Sequence, residues 1–256
     1  MKQGVRELNH TELFTNKAEI YEFGRPSYPD ALLAFMKDQF SINEQTVVAD
    51  VGAGTGKFTE KLLDLGCKVV AIEPNHAMAN ELRDGLMCSE LQLSEQPAEY
   101  TELENNSVDI ITAAQSFHWF NAEQFKKECQ RILVEKGPVC LIWNTRVATA
   151  EINQRTHSIF TEHCPDFKAF SGGDNSEEEK ISDFFDGQFK LFELDYPLDY
   201  TLKKFVGRCV SASYSLDPVH ENYPAFEQAL IKMFQEFEKD GTVQVPNITR
   251  CYYGYL

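Results

Sequence analysis

The 256-residue chain carries 40 acidic and 24 basic residues, which gives it a formal net charge of −16. Its 43% hydrophobic content is typical of a globular protein rather than a disordered one. Nucleic acid is excluded as a partner, because phosphate binding requires a basic surface and the longest basic clusters are as short as Lys126-Lys127. No apolar run approaches the roughly 18 residues of a membrane span, so no membrane association is predicted.

Seven cysteines are scattered along the chain without a C-x-x-C pair. This pattern favours free thiols in a reducing compartment over a disulfide framework or a zinc site. We therefore expect a cytoplasmic protein that holds no metal ion.

The first part of the chain, residues 10–39, is predicted to form two helices. They are separated by a turn at 25–29, where Pro26 and Pro29 force the preceding residues out of helical geometry. The apolar run 47–51 then predicts a buried strand, and the apolar spacing after residue 57 predicts a helix that ends near Gly66.

Three glycines spaced by two, Gly52, Gly54 and Gly56, join this strand to its helix. A dinucleotide fingerprint fits poorly, because its third glycine would stand at Lys57. A phosphate-binding P-loop fails at both ends, where it would need glycine in place of Val51 and serine or threonine in place of Phe58. The spacing that remains is D-x-G-x-G-x-G, beginning at Asp50.

A second predicted strand, 68–72, ends at Glu73-Pro74. An acid at the tip of the strand that follows a glycine loop can accept hydrogen bonds from both hydroxyls of a ribose. We therefore predict that Glu73 binds a ribose. The later strands are predicted at 91–93, 108–114, 139–143, 189–200 and 249–256, with helices near 122–133, 201–212 and 224–240 and an acidic surface loop at 172–179.

The motif from Asp50 to Gly56 resembles the first motif of the class I S-adenosylmethionine-dependent methyltransferases. The segments 115–120, Gln-Ser-Phe-His-Trp-Phe, and 23–29, Phe-Gly-Arg-Pro-Ser-Tyr-Pro, are similar to the methyltransferase type 11 group. Within it they resemble the branch of trans-aconitate methyltransferase-like small-molecule enzymes. The resemblance spans most of the chain and is strongest over 47–145.

This resemblance implies an α/β fold, a Rossmann-like doubly wound sheet of seven strands with helices on both faces. The sheet is expected to be mostly parallel, with an antiparallel last strand inserted beside the fifth. Residues 1–256 are expected to form one domain, in which 10–39 cover the cofactor, 40–145 bind it, and 146–256 supply the substrate lid and the final strands.

The implied cofactor is S-adenosylmethionine, with S-adenosylhomocysteine as the product. Its expected contacts are Tyr21, Arg25, Asp50, Gly52, Ala53, Gly54, Gly56, Glu73, Pro74, Ala98, Glu99 and Gln115, which lie on the N-terminal segment or beyond the carboxyl ends of strands. Asp50 is expected to order the glycine loop or to bind the methionyl amino group. Arg25 is expected to bind a carboxylate of the cofactor or of the acceptor, and Ala98 and Glu99 to face the adenine.

The expected acceptor is a small molecule bearing a carboxylate or a hydroxyl, contacted by His118, Trp119, Arg146, Arg208 and Tyr214. His118 is a candidate general base for a hydroxyl or amine, whereas a carboxylate would need none and the histidine would then only shape the site. Two other functions stay open at this point. One is a S-adenosylmethionine-binding regulatory module without catalysis, and the other is an NAD-linked oxidoreductase.

Overall fold

The apolar runs of the sequence form strands that alternate with helices, as α/β proteins require. A computed structural model describes residues 27–86, 88–170, 175–212 and 214–256. The strands are β1 (Val47–Val51), β2 (Lys68–Ile72), β3 (Leu91–Ser94), β4 (Ile110–Ala114), β5 (Pro138–Arg146), β6 (Phe189–Asp195), β7 (Leu198–Thr201), β8 (Thr242–Val245) and β9 (Asn247–Tyr255). The helices are α1 (Asp30–Phe40), α2 (Lys57–Leu63), α3 (His76–Leu86), α4 (Ala122–Ile132), α5 (Glu151–His163), α6 (Asn175–Phe184), α7 (Leu202–Val210) and α8 (Tyr223–Phe237).

Seven strands form one sheet in the order β3-β2-β1-β4-β5-β9-β6. The pairs β1–β2, β1–β4, β2–β3 and β4–β5 are parallel, and β9 pairs antiparallel with β6. The strand order reverses between β1 and β4, which is the switch point where open α/β sheets bind ligands beyond their carboxyl ends. The predicted Rossmann-like fold is confirmed, including the last strand next to the fifth.

The chain divides into two compact units. The sheet unit comprises residues 27–145, 175–196 and 248–256, and the helical unit comprises 146–170 and 197–247.

In the sheet unit, successive strand residues pack into two different hydrophobic clusters. Ala49 and Val51 of β1 belong to a cluster with α4 and α6, whereas Val48 belongs to one with α1, α2 and α3. Side chains of a strand alternate between its faces, so both faces of this sheet are covered by helices. This burial explains why the strands appear in the sequence as continuous apolar runs.

The helical unit has its own core, formed by α5, α7, α8 and the two-stranded antiparallel sheet β7–β8. Phe160 of α5 and Phe226 of α8 are fully buried, with ring centroids 5.2 Å apart. The helix predicted near 224–240 is therefore present as α8, and its apolar residues lie in this core.

Two sequence-based predictions are wrong. The stretch 189–200 is not one strand, because β6 ends at Asp195 and β7 begins at Leu198 in the other sheet. Pro197 lies between them and cannot donate a ladder hydrogen bond, which explains the break. The acidic stretch 172–179 is not all loop either, since α6 begins at Asn175 and acids in a first turn stabilise a helix. The predicted segment 10–26 lies outside the described residues.

Candidate functional site

The glycine loop after β1 has a backbone that only glycine adopts easily. Gly52, Gly54 and Gly56 have φ angles of +71°, +59° and +87°. The backbone N–H groups of Gly52 and Ala53 both donate to the carbonyl of Ile72, at 2.8 and 3.1 Å, which ties the loop to the end of β2. The loop is thus held at the carboxyl ends of β1 and β2.

The three glycines serve different purposes. A Cβ atom on Gly52 would lie 2.5 Å from the Cβ of Ser116, and one on Gly56 would lie 2.6 Å from Leu86. These two glycines permit packing inside the protein. A Cβ on Gly54 would meet no atom of the described residues within 4 Å, so these residues leave the space beside it open to a ligand. Gly54 therefore offers a backbone surface that a ligand can approach closely.

Glu73 lies directly beside this open glycine. Its Oε2 accepts a hydrogen bond of 2.8 Å from the N–H of Gly54, and its Oε1 accepts one of 2.8 Å from the N–H of Asn75. The residue is only 6% exposed, so its carboxylate is fixed in one orientation. Each carboxylate oxygen has a second lone pair, which leaves acceptor capacity for two hydroxyl groups of a ribose. Pro74, the next residue, is exposed.

Asp50 is fully buried and turned toward the protein. Its Oδ2 accepts a hydrogen bond from the hydroxyl of Thr59 at 2.7 Å, and its Oδ1 accepts one from Thr112 at 2.9 Å. Desolvation raises the pKa of this carboxyl to about 6, although the two threonine hydroxyls oppose the shift. Asp50 thus connects β1 to α2 and β4, a geometry that favours the loop-ordering role over contact with a methionyl amino group.

The loops that follow β3 and β4 are joined by a hydrogen bond. Glu99 Oε1 accepts from the N–H of Asn121, at 2.7 Å, and Asn121 caps the start of α4. Ala98 is buried and Glu99 is half-buried. Glu128 of α4 accepts hydrogen bonds from both the N–H and the hydroxyl of Thr101. These two bonds tie the loop after β3 to α4.

The segment after β4 carries the remaining predicted residues of this unit. Gln115 has a φ of +58°, and its Nε2 donates to the carbonyl of Asn144 at 3.0 Å. His118 and Trp119 lie in a short 3-10 helix with ring centroids 4.9 Å apart. Trp119 is 79% exposed, whereas Trp143 is buried.

Arg146, Arg208 and Tyr214 are brought together in the helical unit. Arg146 ends β5 and Arg208 lies in the last turn of α7. Desolvation lowers the pKa of Arg146, and the positive charge of Arg208 lowers it further. Tyr214 forms a side-chain hydrogen bond with Arg146. Tyr21 and Arg25 lie outside the described residues.

Sequence reasoning missed Asn144, which connects several segments of the sheet unit. Its Nδ2 donates to the carbonyl of Ser27 at 3.1 Å, and its Oδ1 accepts a 2.6 Å hydrogen bond from Thr249 of β9. Together with the bond from Gln115, these contacts hold the ends of β4, β5 and β9. The available signal was the polar residue that follows the apolar run 139–143.

Within the ranges that the structure describes, no helix combines the length and apolar character needed to cross a membrane. The same ranges hold no group of three or more histidine, cysteine, aspartate or glutamate side chains placed to bind a metal ion.

Comparison with known proteins agrees with this geometry. The profile of a family described as a methyltransferase domain matches residues 49–141. An uncharacterized methyltransferase-like protein of Schizosaccharomyces pombe is 33% identical over 162 residues, 62% of either chain. A second uncharacterized methyltransferase of that yeast is 29% identical over 220 residues, 86% of this chain and 80% of that protein. The match to the first relative thus spans less than two thirds of its length.

The fold also has solved counterparts. The structure of a candidate type II methyltransferase from Anaeromyxobacter dehalogenans superposes with a TM-score of 0.66 at 19% identity, covering 90% of this chain and 97% of that one. At this identity the likeness shows the fold alone. The matched profile thus identifies residues 49–141 as a methyltransferase domain, and the sheet that contains it has the fold of solved methyltransferases.

Proposed function

We propose that the protein transfers a methyl group from S-adenosylmethionine to a small-molecule acceptor that bears a carboxylate or a hydroxyl. The observation that carries this proposal is the hydrogen bond from Gly54 to Glu73, beside open space. It sets a flat backbone surface and a fixed carboxylate next to each other at the switch point of the sheet. A nucleoside could pack against the backbone at Gly54 there, and its ribose hydroxyls could donate hydrogen bonds to Glu73.

The residues of the sheet unit fit this cofactor. Glu73 would bind the ribose, and Gly54 would allow its close approach. Gly52, Ala53 and Gly56 would shape the loop. Asp50 would hold it in place through its hydrogen bonds inside the protein. Ala98 and Glu99 would face the adenine. Pro74 and Gln115 would border the site, and Tyr21 and Arg25 are proposed contacts outside the described residues.

When bound, S-adenosylmethionine supplies an electrophilic methyl group on a sulfonium, and transfer leaves S-adenosylhomocysteine. The protein then mainly has to position the acceptor oxygen and exclude water. A carboxylate acceptor attacks without losing a proton. A hydroxyl acceptor must release one, and the imidazole of His118 is the proposed base in that case. His118 and Trp119 are the proposed acceptor contacts in the sheet unit, and Arg146, Arg208 and Tyr214 those in the helical unit.

Charge and thiols support two further parts of the proposal. A net charge of −16 opposes binding to nucleic acid, so a small molecule is the proposed acceptor class. The seven cysteines are all free thiols, as expected in a reducing compartment, which supports a cytoplasmic location.

Transfer of tritium from methyl-labelled S-adenosylmethionine to a panel of carboxylic acids, phenols and alcohols tests this function. We expect label in an extractable small molecule, and base-labile label would identify a methyl ester. The His118→Ala variant should lose activity toward a hydroxyl acceptor and keep it toward a carboxylate. Binding of the cofactor without transfer to any of the panel would support the non-catalytic module instead, and hydride exchange with NAD would support an oxidoreductase.

A further inference from the structure

The loop that follows β3 contains a tight turn. The N–H of Tyr100 donates a 3.1 Å hydrogen bond to the carbonyl of Pro97, so Ala98 and Glu99 are the two central residues of this turn. Ala98 is buried and Glu99 is half-buried, whereas Tyr100 is exposed. A ligand that meets Ala98 and Glu99 therefore meets a turn whose position depends on how the loop is held.

The two ends of this loop are bonded to each other and to the proposed ribose site. The hydroxyl of Ser94 donates to the carbonyl of Thr101 at 3.2 Å, and Gln96 Nε2 donates to Glu102 Oε2 at 3.0 Å. The N–H of Glu73 donates to the carbonyl of Ser94 at 3.0 Å. These bonds fix the start of the loop relative to the carboxylate that is proposed to bind the ribose.

Helix α4 holds the far side of the loop through a buried carboxylate. Glu128 is only 6% exposed, and its Oε1 accepts from the N–H and the hydroxyl of Thr101 at 2.7 and 2.6 Å. Arg131 donates to both oxygens of Glu128, from Nη2 at 2.8 Å and from Nε at 2.9 Å. Glu99 is bonded to the N–H of Asn121, the residue that caps α4, so the turn is attached to this helix at two points.

Arg131 extends the network further along the loop. Its Nη1 donates to the carbonyl of Leu103 at 2.7 Å and to Asn105 Oδ1 at 2.8 Å. Burial raises the pKa of Glu128, but its hydrogen bonds with Arg131 and Thr101 outweigh burial and hold this pKa below its usual value. The carboxylate is therefore charged at neutral pH, and charge-assisted bonds of this kind are stronger than neutral ones. A connected polar network in a protein interior makes the segment that it joins rigid.

We propose that Glu128 and Arg131 are positioning residues for the adenine of the cofactor, because they hold the turn at Ala98 and Glu99 in its binding shape before the cofactor binds. Ordering a loop during binding costs affinity, so a loop that is ordered in advance binds more tightly and selects its ligand more strictly. Glu99 uses Oε1 for the bond to α4, and its Oε2 is able to accept from the 6-amino group of adenine. The inference rests on the proposed function in taking Ala98 and Glu99 as the adenine contacts.

Calorimetric titration with two ligands tests this role. One ligand is S-adenosylhomocysteine, and the other is its analogue in which hydrogen replaces the 6-amino group of the adenine. The wild type should bind the parent compound about tenfold more tightly, the value of one hydrogen bond to a charged acceptor. In Glu128→Gln this ratio of affinities should fall below about threefold, because the turn no longer holds Glu99 against the amino group. A merely structural role would weaken both ligands alike and leave the ratio unchanged.

Two further variants give this measurement its controls. Thr101→Val removes the hydroxyl that bonds to Glu128 but keeps the shape of the side chain and the backbone N–H, so it should give an intermediate ratio. Glu227→Gln removes another glutamate that is only 6% exposed, in the helical unit, and should leave the ratio of the wild type. Urea unfolding identifies the variants that are folded. A wild-type ratio in Thr101→Val, or in folded Glu128→Gln, would overturn the proposal.

Hydrogen exchange of the ligand-free protein measures the order of the loop directly. Residues 97–103 should be protected in the wild type before any ligand is added, and they should exchange faster in Glu128→Gln. Fast exchange of these residues in the ligand-free wild type would overturn the proposal.

The titrations also separate this inference from the proposed function. A wild type that binds both ligands with equal affinity would refute the positioning role and leave the proposed cofactor site standing. A wild type that binds neither ligand would refute the cofactor site, and the positioning role with it.

Discussion

At the scale of single residues, the site depends on one hydrogen bond and one open surface. Glu73 holds Gly54 through a 2.8 Å bond, and within the described part of the chain no atom lies within 4 Å of the position that a Cβ of Gly54 would take. A side chain at position 54 would therefore occupy the space proposed for the cofactor. Gly66 offers a matched comparison, because it also has a positive φ, +84°, and no atom in the described ranges lies within 4 Å of its Cβ position.

We predict that Gly54→Arg abolishes binding of S-adenosylhomocysteine, whereas Gly66→Arg leaves it intact. Both variants should lose a similar 1–2 kcal/mol of stability, roughly the cost of a left-handed backbone for a residue with a Cβ. Calorimetric titration measures the affinity and urea unfolding the stability. Normal affinity in Gly54→Arg would show that the ligand lies elsewhere.

Asp50 makes stability depend on pH in a direction opposite to most carboxylates. Its pKa is raised to about 6 in the folded protein, above its ordinary value near 3.8. Between these values the folded state binds more protons than the unfolded one, so the contribution of Asp50 to stability falls as pH rises from about 4 to 6.

The Asp50→Asn variant should remove this dependence, since the amide is never ionised and can still pair with Thr59 and Thr112. Between pH 4 and pH 7 the unfolding free energy of the variant should rise relative to that of the wild type by up to about 3 kcal/mol. Asp38→Asn makes the same chemical change at an exposed position and is the control for the substitution itself. Urea unfolding at several pH values checks both. A difference that is constant for Asp50→Asn would refute the raised pKa.

At the scale of elements, the loop after β1 packs directly on the segment after β4. The hydroxyl of Ser116 donates to the carbonyl of Val51 at 2.7 Å, and its Cβ lies where a side chain at position 52 would start. The two loops at the carboxyl ends of β1 and β4 can approach this closely only because residue 52 is glycine.

We predict that Gly52→Ala destabilises the protein by about 3 kcal/mol, as the sum of a left-handed alanine and an overpacked contact. In a Ser116→Gly background the same change should cost roughly 1–2 kcal/mol less, because the steric part is relieved, and this difference is the coupling energy between the two positions. Gly187→Ala, also at positive φ but in open space, should show only the backbone cost. Additive effects of Gly52→Ala and Ser116→Gly would contradict the packing argument.

At the scale of the whole molecule, two units with separate hydrophobic cores carry two different chemistries. In the proposed function, the sheet unit presents the carboxylate of Glu73 and the backbone at Gly54 to a nucleoside. The helical unit contains Arg146 and Arg208, which are proposed contacts of the acceptor. Each ligand should therefore stabilise its own unit first.

Hydrogen exchange followed by mass spectrometry can separate the two. S-adenosylhomocysteine should slow amide exchange most in residues 51–57 and 73–75, whereas an acceptor that binds Arg208 should slow it most in 202–212. The Arg208→Gln variant should lose only the second effect. Protection of both regions to the same extent by either ligand alone would contradict the separate assignment of the two sites.

The parallel part of the sheet was predictable because its strands are buried on both faces and appear as uninterrupted apolar runs. The end of β6 was not, because Phe189–Asp195 lies at the edge of the sheet with alternating exposure, and only Pro197 marked the break. Glu73 was predictable from its position after a strand. The inward orientation of Asp50 was not, since it depends on Thr59 and Thr112, which lie 9 and 62 residues away.

The arginine pair was only half predictable. The sequence singled out Arg146, Arg208 and Tyr214, but the contacts that orient them come from Phe170 and Tyr200, and no local pattern connects these residues. Contacts between distant segments follow from tertiary packing, which periodicity and motif spacing do not encode.

Calorimetric titration with S-adenosylmethionine, S-adenosylhomocysteine and NAD tests the central claim most directly. We expect the two adenosyl ligands to bind the wild type in the micromolar range, a binding free energy of about 8 kcal/mol, and NAD not to bind. Affinity should fall about tenfold or more in Glu73→Ala and stay unchanged in Glu81→Ala, an exposed glutamate of α3. Binding of NAD alone, or adenosyl binding that Glu73→Ala does not weaken, would contradict the proposed cofactor site.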